Sequence, residues 1–387
     1  MLSSGVITYV LLDELQIFTN KSEEEKYREQ INSLIETIKS KIQRERDLST
    51  SSEIKIYIVN DAQTTDEIGE EYFNSIIDEV KNKERIYKFL LIISEDKDLL
   101  DMYIKRSGFT AGVERDKLYI NQDRLDLNDS DEVMWILTHE LMHIIQYSNF
   151  ELVNPKFMDQ KIAWMTIIEG DADFTAIKVT NKTDRQEIIE SYKKIQDPLL
   201  SIQLFPYIFG QGFIEEIYVR GGWNLVNKLY VDPPETTEQI LHISKYLIKE
   251  NPEKVEVNKL NDEWEVLMSD TMGEYFIQIM LKNWIHHTDA EEAATGWGGD
   301  NLTLFRMGET NILMWKIVWD SEQDAQNFYQ TFNTMLEIND SNIIVREDKR
   351  QDWSYNLGVI SVLIDGEDVY IIASDRDLNI KKHKLNN

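Results

Sequence analysis

The most informative segment of the sequence is WILTHELMHIIQY, residues 135–147. Within it, His139, Glu140 and His143 form the pattern H-E-x-x-H. Residues four apart on a helix lie one turn apart on the same face, so both imidazoles can reach one metal ion. Glu140 lies about 100° further round the helix, at the edge of such a site, where it can take a proton from metal-bound water. The stretch therefore predicts a metal-binding helix, for which residues 129–132 offer a cap and an acidic first turn.

A third ligand is predicted in IIEGDADF, residues 167–174, on the next predicted helix. Glu169 follows the second motif histidine by 26 residues, and Asp173 is four residues further, on the same helix face. This spacing suits a metal ligand and a carboxylate that orients a ligating histidine. Gly170 and Ala172 are small and allow another helix to approach closely. Carboxylates among these apolar neighbours would be costly to bury unless a cation is present.

Two interpretations of these residues stay open. The first is a catalytic metal site, which needs three protein ligands and an open position for water. It is favoured by the apolar flanks of the motif, as for a helix at the base of a cleft, and by a predicted strand before it. The second is a core helix with two hydrogen-bonded histidines and carboxylates that are near by chance.

The order of these motifs, His139-Glu140-x-x-His143 followed by Glu169-x-x-x-Asp173, resembles the gluzincin branch of the zincin metallopeptidases, the thermolysin-like arrangement. The resemblance covers about 35 residues, and the loop between the two elements is longer here than in the thermolysin type. It implies that His139, His143 and Glu169 bind Zn²⁺, that Glu140 is the general base, and that Asp173 supports a ligand. The implied substrate is a peptide or protein.

The same resemblance implies a mixed sheet whose edge strand binds an extended peptide, with the motif helix beneath it and a helical lower subdomain. LYIN (118–121) would be that edge strand. Two further stretches, 205–242 and 296–328, resemble an uncharacterised group of prokaryotic zincin-like proteins. This second resemblance extends over most of residues 130–330, supports the zincin-like fold and implies no substrate.

A hydrolytic zinc site usually has a donor that stabilises the oxyanion, and thermolysin-like enzymes use a tyrosine and a histidine downstream of the ligands. His242, in TTEQILH, is the histidine candidate, and Glu238 four residues earlier is placed to orient it. Tyr207, in FPYIFGQGF, is the tyrosine candidate. The alternatives are a capping or core histidine and an ordinary packed aromatic. The His286-His287 pair is predicted at a helix end, where the dipole favours histidine, and is interpreted as structural.

The chain is predicted to be α+β with three parts. Residues 1–150 form an upper α/β subdomain that ends in the motif helix. Residues 151–255 form a helical lower subdomain that carries the third ligand. Residues 256–387 form a smaller α+β domain for which the sequence indicates no chemistry.

Local patterns predict several individual elements. In the first part, the strands predicted from apolar runs are Val6–Leu12, 55–60, 87–94 and 116–121. The almost wholly apolar run YKFLLIIS (87–94) is typical of a central strand. DRQEIIESYKKI (184–195) fits a helix, and GWGGD (296–300) predicts a tight turn. The tryptophans of the C-terminal part are predicted to be domain core, namely Trp284, Trp297, Trp315 and Trp319.

Composition excludes some classes of function. The 387 residues carry a net charge of −29, which argues against nucleic acid as the main partner and indicates a well-hydrated surface. With no cysteine, neither a disulfide framework nor a cysteine-bound zinc can form. No apolar run is long enough to span a membrane, and the first residues lack a signal-peptide pattern. The absence of cysteine favours an extracytoplasmic location with a trimmed leader, with the cytoplasm as the alternative.

The sequence therefore favours a zinc-dependent endopeptidase or oligopeptidase. One alternative is a zincin-fold binding module whose site is degenerate or occluded and which acts through a protein partner. A non-peptide amidase, or a peptidase for one dedicated protein, also remains open. Specificity depends on pocket walls that the sequence does not place, and the oligomeric state is equally undetermined.

Overall fold

The structure is a computed structural model that describes residues 21–376 apart from 62–67, 107–108, 183–189 and 192–193. The predicted strand Val6–Leu12 and most of the predicted helix 184–195 lie outside the described residues. The protein is 51% helix and 21% strand, and the strands form two separate sheets, so the predicted α+β class is confirmed.

The helices described in full are α1 Lys21–Arg46, α2 Ile68–Phe89, α3 Leu99–Arg106, α4 Ser130–Asn149, α5 Met158–Thr180, α6 Pro198–Lys228, α7 Thr237–Leu241, α8 Ile243–Ile248, α9 Gly273–Lys282, α10 His287–Ala294 and α11 Glu322–Ile338. The strands are β1 Lys55–Val59, β2 Ala111–Glu114, β3 Lys117–Asn121, β4 Glu265–Asp270, β5 Trp297–Met307, β6 Thr310–Trp319, β7 Asn342–Glu347, β8 Arg350–Tyr355, β9 Gly358–Asp365 and β10 Asp368–Ser374. None of the described helices combines the length and the apolarity that crossing a membrane requires.

The smaller sheet has three strands in the order β1-β3-β2. Strand β1 is parallel to β3, and β2 is antiparallel to it. The prediction that LYIN is the edge strand is therefore wrong, because LYIN lies in the central strand β3. A tight turn, with Arg115 at a φ of 55°, folds β2 against one side of β3 while β1 pairs with the other. Among the described strands, the edges of this sheet are β1 and β2.

Helices α1 and α4 cover the smaller sheet with apolar faces. The isoleucines of α1 recur every three or four residues and are at most 3% exposed, namely Ile31, Ile35, Ile38 and Ile42. They pack in one cluster with Leu118 and Ile120 of β3 and with Leu137 and Leu141 of α4. The apolar face of α1 therefore packs with the smaller sheet against the motif helix α4.

The larger sheet has seven antiparallel strands in the order β4-β5-β6-β10-β9-β8-β7. Trp297, Trp315 and Trp319 are at most 1% exposed, which confirms their prediction as core. They belong to a cluster of buried residues that extends from Val80 in α2, through the helices, to Ala373 in β10. The helical part and the C-terminal sheet therefore share one hydrophobic core.

The central strand predicted at 87–94 is wrong. Helix α2 continues to Phe89, and the chain then turns, with Leu91 at a φ of 57°. The residues are apolar because they are buried in the large core, where Leu90 is 0% exposed. A short apolar run shows burial, but it does not distinguish a strand from a buried helix end.

Two smaller predictions in the C-terminal part also need correction. GWGGD is not a tight turn, because strand β5 begins at Trp297; only Gly296, at a φ of 85°, turns the chain. The glycine at 299 lets the chain pass close to the backbone of Glu253. The histidine pair lies at the start of α10, with His286 at the N-cap position, and not at the C-terminal end of a helix as the sequence predicts.

Candidate metal centre

The motif helix α4 begins where the sequence predicts. Asp129 caps it by accepting a hydrogen bond from the backbone N–H of Glu132 at 3.1 Å, and acidic residues fill its first turn. Its middle is buried on all sides from Ile136 to Gln146. Such a helix cannot turn its histidines towards solvent, so their polar atoms must be satisfied inside the protein.

Three atoms that can bind a metal converge between α4 and α5. His139 Nε2 and His143 Nε2 are 3.0 Å apart. Glu169 Oε2, on α5, lies 3.2 Å from the first nitrogen and 3.4 Å from the second. His139, Glu169 and His143 are 2%, 1% and 8% exposed. The structure thus brings together the three residues that the sequence predicts as ligands.

The outer nitrogens of the two imidazoles are held by oxygen atoms. Nδ1 of His139 lies 2.7 Å from Asp173 Oδ1, and Nδ1 of His143 lies 2.8 Å from Gln146 Oε1. An imidazole that donates through Nδ1 carries a lone pair on Nε2 when it is neutral. Two nitrogen lone pairs and one carboxylate oxygen then face one another without a donor between them. Either a metal ion or a proton on one imidazole would satisfy such an arrangement.

The electrostatics of the cluster agree with a cation. Glu169 Oε2 is buried and has no hydrogen-bond partner among the described atoms. Burial acts to raise the pKa of Glu169, but His143 and His139 outweigh it and hold that pKa well below its usual range. Burial likewise opposes the protonation of His139, yet Asp173 and Glu169 raise its pKa well above the ordinary value. The carboxylates thus stabilise positive charge between them. Two imidazoles and one carboxylate are also a donor set typical of zinc.

Glu140 adjoins the ligands without belonging to them. It is 1% exposed, and its carboxylate forms no hydrogen bond or ion pair within the described part of the chain. Burial raises its pKa, while His139 and His143 lower it less. A buried carboxylate with a raised pKa is suited to accept and release a proton near neutral pH.

Tyr207 also lies beside the cluster. Its ring stacks on the imidazole of His139, with 6.5 Å between the ring centroids, and its buried hydroxyl lies beside the Glu169 carboxylate without a hydrogen bond of standard geometry. Burial and the charges of Glu169 and Asp173 raise its pKa, so the hydroxyl stays protonated and is a potential donor.

The position of Tyr207 follows from a close contact between α5 and α6. A Cβ on Gly170 would lie 2.5 Å from the carbonyl oxygen of Gly210, so only glycine allows this contact. Gly210 is almost one turn beyond Tyr207 on α6. The sequence predicts that a second helix approaches closely at Gly170, and the structure shows that this helix is α6.

His242 lies in a different environment. Its Nε2 is 2.9 Å from Glu274 Oε1, on α9, and this residue, rather than the predicted Glu238, is its hydrogen-bond partner. The hydrogen bond to Glu274 raises the pKa of His242. None of the described contacts joins His242 to the three ligands.

Sequence reasoning missed a buried ion pair that anchors the ligand helix. A guanidinium nitrogen of Arg46 lies 2.8 Å from Asp171 Oδ2, and both side chains are 0% exposed. The hydroxyl of Tyr230 donates to the same oxygen at 2.7 Å, and Trp223 covers the guanidinium at 4.0 Å. These contacts join α1 and the chain after α6 to the face of α5 opposite Glu169. No short sequence motif indicates these contacts.

A second acidic cluster needs no metal. Carboxylate oxygens of Glu238, Glu250 and Asp320 lie close enough to share a cation. The ammonium of Lys245 lies among them, at 2.8, 2.5 and 2.6 Å. Lysine therefore supplies the positive charge that this group requires.

Comparison with known proteins gives one match. A family described as a domain of unknown function, DUF8575, matches residues 265–379. This region contains all seven strands of the larger sheet and none of the residues of the metal cluster. Neither the curated proteins nor the solved structures include a match.

Proposed function

We propose that this protein is a zinc-dependent metallopeptidase. The observation that carries the proposal is the convergence of His139 Nε2, His143 Nε2 and Glu169 Oε2, with both Nδ1 atoms bonded to oxygens. The resemblance of H-E-x-x-H and E-x-x-x-D to the gluzincins supports the same conclusion. The alternative of a core helix with chance carboxylates requires a protonated imidazole to balance the buried Glu169 oxygen.

The proposed reaction is the hydrolysis of a peptide bond. A zinc ion held by His139, His143 and Glu169 would act as a Lewis acid on the scissile carbonyl and on a water molecule. Glu140 takes the proton from the attacking water and passes it to the leaving amine. Its raised pKa suits both steps. Asp173 keeps the imidazole of His139 in the orientation that a ligand needs.

The oxyanion requires a hydrogen-bond donor. Tyr207 is the stronger candidate, because its buried hydroxyl lies beside Glu169 and its ring lies against His139. His242 remains the second candidate, although its imidazole is bonded to Glu274. Tyr207→Phe is expected to lower kcat by about a hundredfold or more, as loss of one such donor does.

The substrate is proposed to bind along strand β2. In a two-residue hairpin the residues that flank the turn exchange hydrogen bonds, and Asn121 N–H donates to the carbonyl of Thr110 further along. The backbone groups of Ala111 and Val113 therefore point away from β3. Ala111 is 0% exposed, so the half-buried Val113 is the residue that can offer these groups to a substrate. An extended peptide can pair with such an edge as an additional strand.

The test combines metal content with activity. Purified wild-type protein should contain one zinc per chain by mass spectrometry, and His143→Ala should lose it. Glu140→Gln should keep the zinc and lose hydrolysis of a peptide library. Glu132→Gln, in the first turn of the same helix, is the matched control and should keep both. Retained turnover in Glu140→Gln contradicts the mechanism.

Burial of the site favours a second candidate, a zincin-fold binding module that acts through a protein partner. Glu140 and Glu169 are each 1% exposed, and His143, the most exposed of the three ligands, is 8% exposed. The same experiment distinguishes the two candidates. Zinc in the wild type without turnover of any library peptide indicates the binding module, whereas turnover that Glu140→Gln abolishes indicates the peptidase.

A further inference from the structure

Gln146 is a buried polar residue three positions after the second motif histidine. Its side chain is 0% exposed, and the resemblance to the gluzincins assigns it no role. A buried amide must place two donors and one acceptor, so its contacts are informative.

The contacts of Gln146 run in two directions. Its Oε1 accepts a hydrogen bond from His143 Nδ1 at 2.8 Å. Its Nε2 donates to the backbone carbonyl of Ile168 at 2.8 Å. The amide also adjoins the hydroxyl of Tyr230. Burial raises the pKa of this hydroxyl, and the amide acts to lower it. Since the carbonyl of Ile168 can only accept, the nitrogen of the amide must face it and the oxygen must face His143.

This orientation has a consequence for the imidazole. Because Oε1 can only accept, His143 has to carry a proton on Nδ1, which leaves Nε2 to bind the metal. The carboxylate of Asp173 holds His139 in the same tautomer, with the proton on Nδ1. The two motif histidines are thus fixed by different chemistry, one by a charged group and the other by a neutral amide.

The second hydrogen bond concerns the third ligand. Ile168 immediately precedes Glu169 on α5, whereas Gln146 belongs to α4. The amide therefore ties the motif helix to the ligand helix beside the residue that completes the site. Through Tyr230 the same amide adjoins the buried pair of Arg46 and Asp171.

We propose that Gln146 is a positioning residue of the metal centre. It sets the tautomer of His143 and fixes the distance between the two helices that supply the ligands. This inference rests on the proposed function, because it concerns the affinity of the same site for zinc.

The experiment measures zinc affinity by competition with a chromophoric chelator. Gln146→Leu removes both hydrogen bonds at nearly constant volume and is expected to weaken zinc binding about ten- to hundredfold, as loss of such partners does. Gln146→Glu keeps an oxygen for His143 Nδ1 and loses the donor to Ile168. It should recover zinc affinity to within about tenfold of the wild type while remaining less stable to heat.

Gln239 provides the matched control. It is 3% exposed, and its amide donates to the backbone carbonyl of Glu250 at 2.6 Å and accepts from Glu235 N–H at 2.7 Å. Gln239→Leu therefore loses comparable hydrogen bonds elsewhere. It should lower thermal stability without changing zinc affinity or the visible spectrum of the cobalt-substituted protein, whereas Gln146→Leu should change both.

Each outcome decides between the possibilities. Wild-type zinc affinity in Gln146→Leu, or an equal loss in Gln239→Leu, overturns the inference and leaves the proposed function intact. A Gln146→Glu protein that binds zinc as weakly as Gln146→Leu overturns the tautomer role. A wild-type protein with no zinc affinity overturns the proposed function and this inference together.

Discussion

Gly170→Ala tests whether the close contact of α5 and α6 positions the metal centre. A Cβ at this residue would lie 2.5 Å from the carbonyl oxygen of Gly210 and 2.7 Å from its Cα, where ordinary contacts begin at 3.4 Å. Both obstructing atoms belong to the backbone, so no side chain can rotate away. The two helices must separate by about 1 Å to accept the methyl group.

The expected loss of stability follows from two opposing terms. Overpacking of a core costs about 1–3 kcal/mol, and alanine gains about 1 kcal/mol over glycine in helix propensity. Because the backbone yields less than a side chain, we expect a net loss of about 2 kcal/mol and a fall in Tm of roughly 2–4 °C. Glu169 adjoins Gly170 on α5, so a shift of α5 displaces this proposed ligand from the two histidines on α4, and zinc affinity should fall about tenfold.

The assay compares thermal unfolding and zinc competition for Gly170→Ala and for Gly112→Ala. The control makes the same substitution in β2, where the nearest atom, on Phe109, would be 3.8 Å from the new Cβ. Its zinc affinity should equal that of the wild type. If Gly170→Ala has wild-type zinc affinity and stability, the helices can accommodate the methyl group and the steric reasoning is refuted.

Three further predictions concern the support of the site. Arg46→Met leaves Asp171 buried without its charge partner and should cost about 3–5 kcal/mol in urea unfolding, whereas the double variant Arg46→Met/Asp171→Leu should recover much of the loss. Gly273→Ala forces alanine to a φ of 80° and should cost at least about 1–3 kcal/mol; unchanged unfolding would contradict the strain. Glu274 raises the pKa of His242, so this pair stabilises the fold fully below about pH 6.5 and loses that effect as the pH rises through the raised pKa. His242→Gln should remove this part of the slope of unfolding free energy between pH 6 and 9, and an identical slope would exclude the pair as its source.

The sequence predicts local elements well and strand order poorly. Helix α4 could be delimited because its cap and its apolar period are encoded within some twenty neighbouring residues. The place of LYIN in its sheet could not, because it depends on β1, which pairs with β3 from about 60 residues earlier in the chain. The structure of residues 87–94 could not be predicted for the same reason. These residues are apolar because they are buried in a core to which distant segments of the chain contribute.

The cluster of His139, His143 and Glu169 was largely predictable for a geometric reason. Spacing along one helix determines which side chains share a face, and this places His139 beside His143. The partners of the ligands depend on contacts between helices. The Arg46–Asp171 pair joins residues 125 apart, and the partner of His242 proved to be 32 residues away rather than four. From the sequence, Gln146 is only the third residue after His143. Its proposed role could be recognised only from its hydrogen bond to the carbonyl of Ile168 on the neighbouring helix.

The region that matches the family and the candidate metal centre occupy different parts of the chain. Hydrogen bonds join the matched region to the helix that carries Glu169. Residues 265–379 supply no ligand. They do fasten the first turn of the ligand helix: Met158 N–H donates to Asp270 Oδ1 at 2.7 Å, and Asp159 N–H donates to the carbonyl of Thr271 at 3.1 Å. Glu169 lies ten residues further along that helix, about 15 Å away. A protein that shares only the matched region can therefore lack the chemistry proposed here, whereas removing that region from this chain should loosen the helix that carries Glu169.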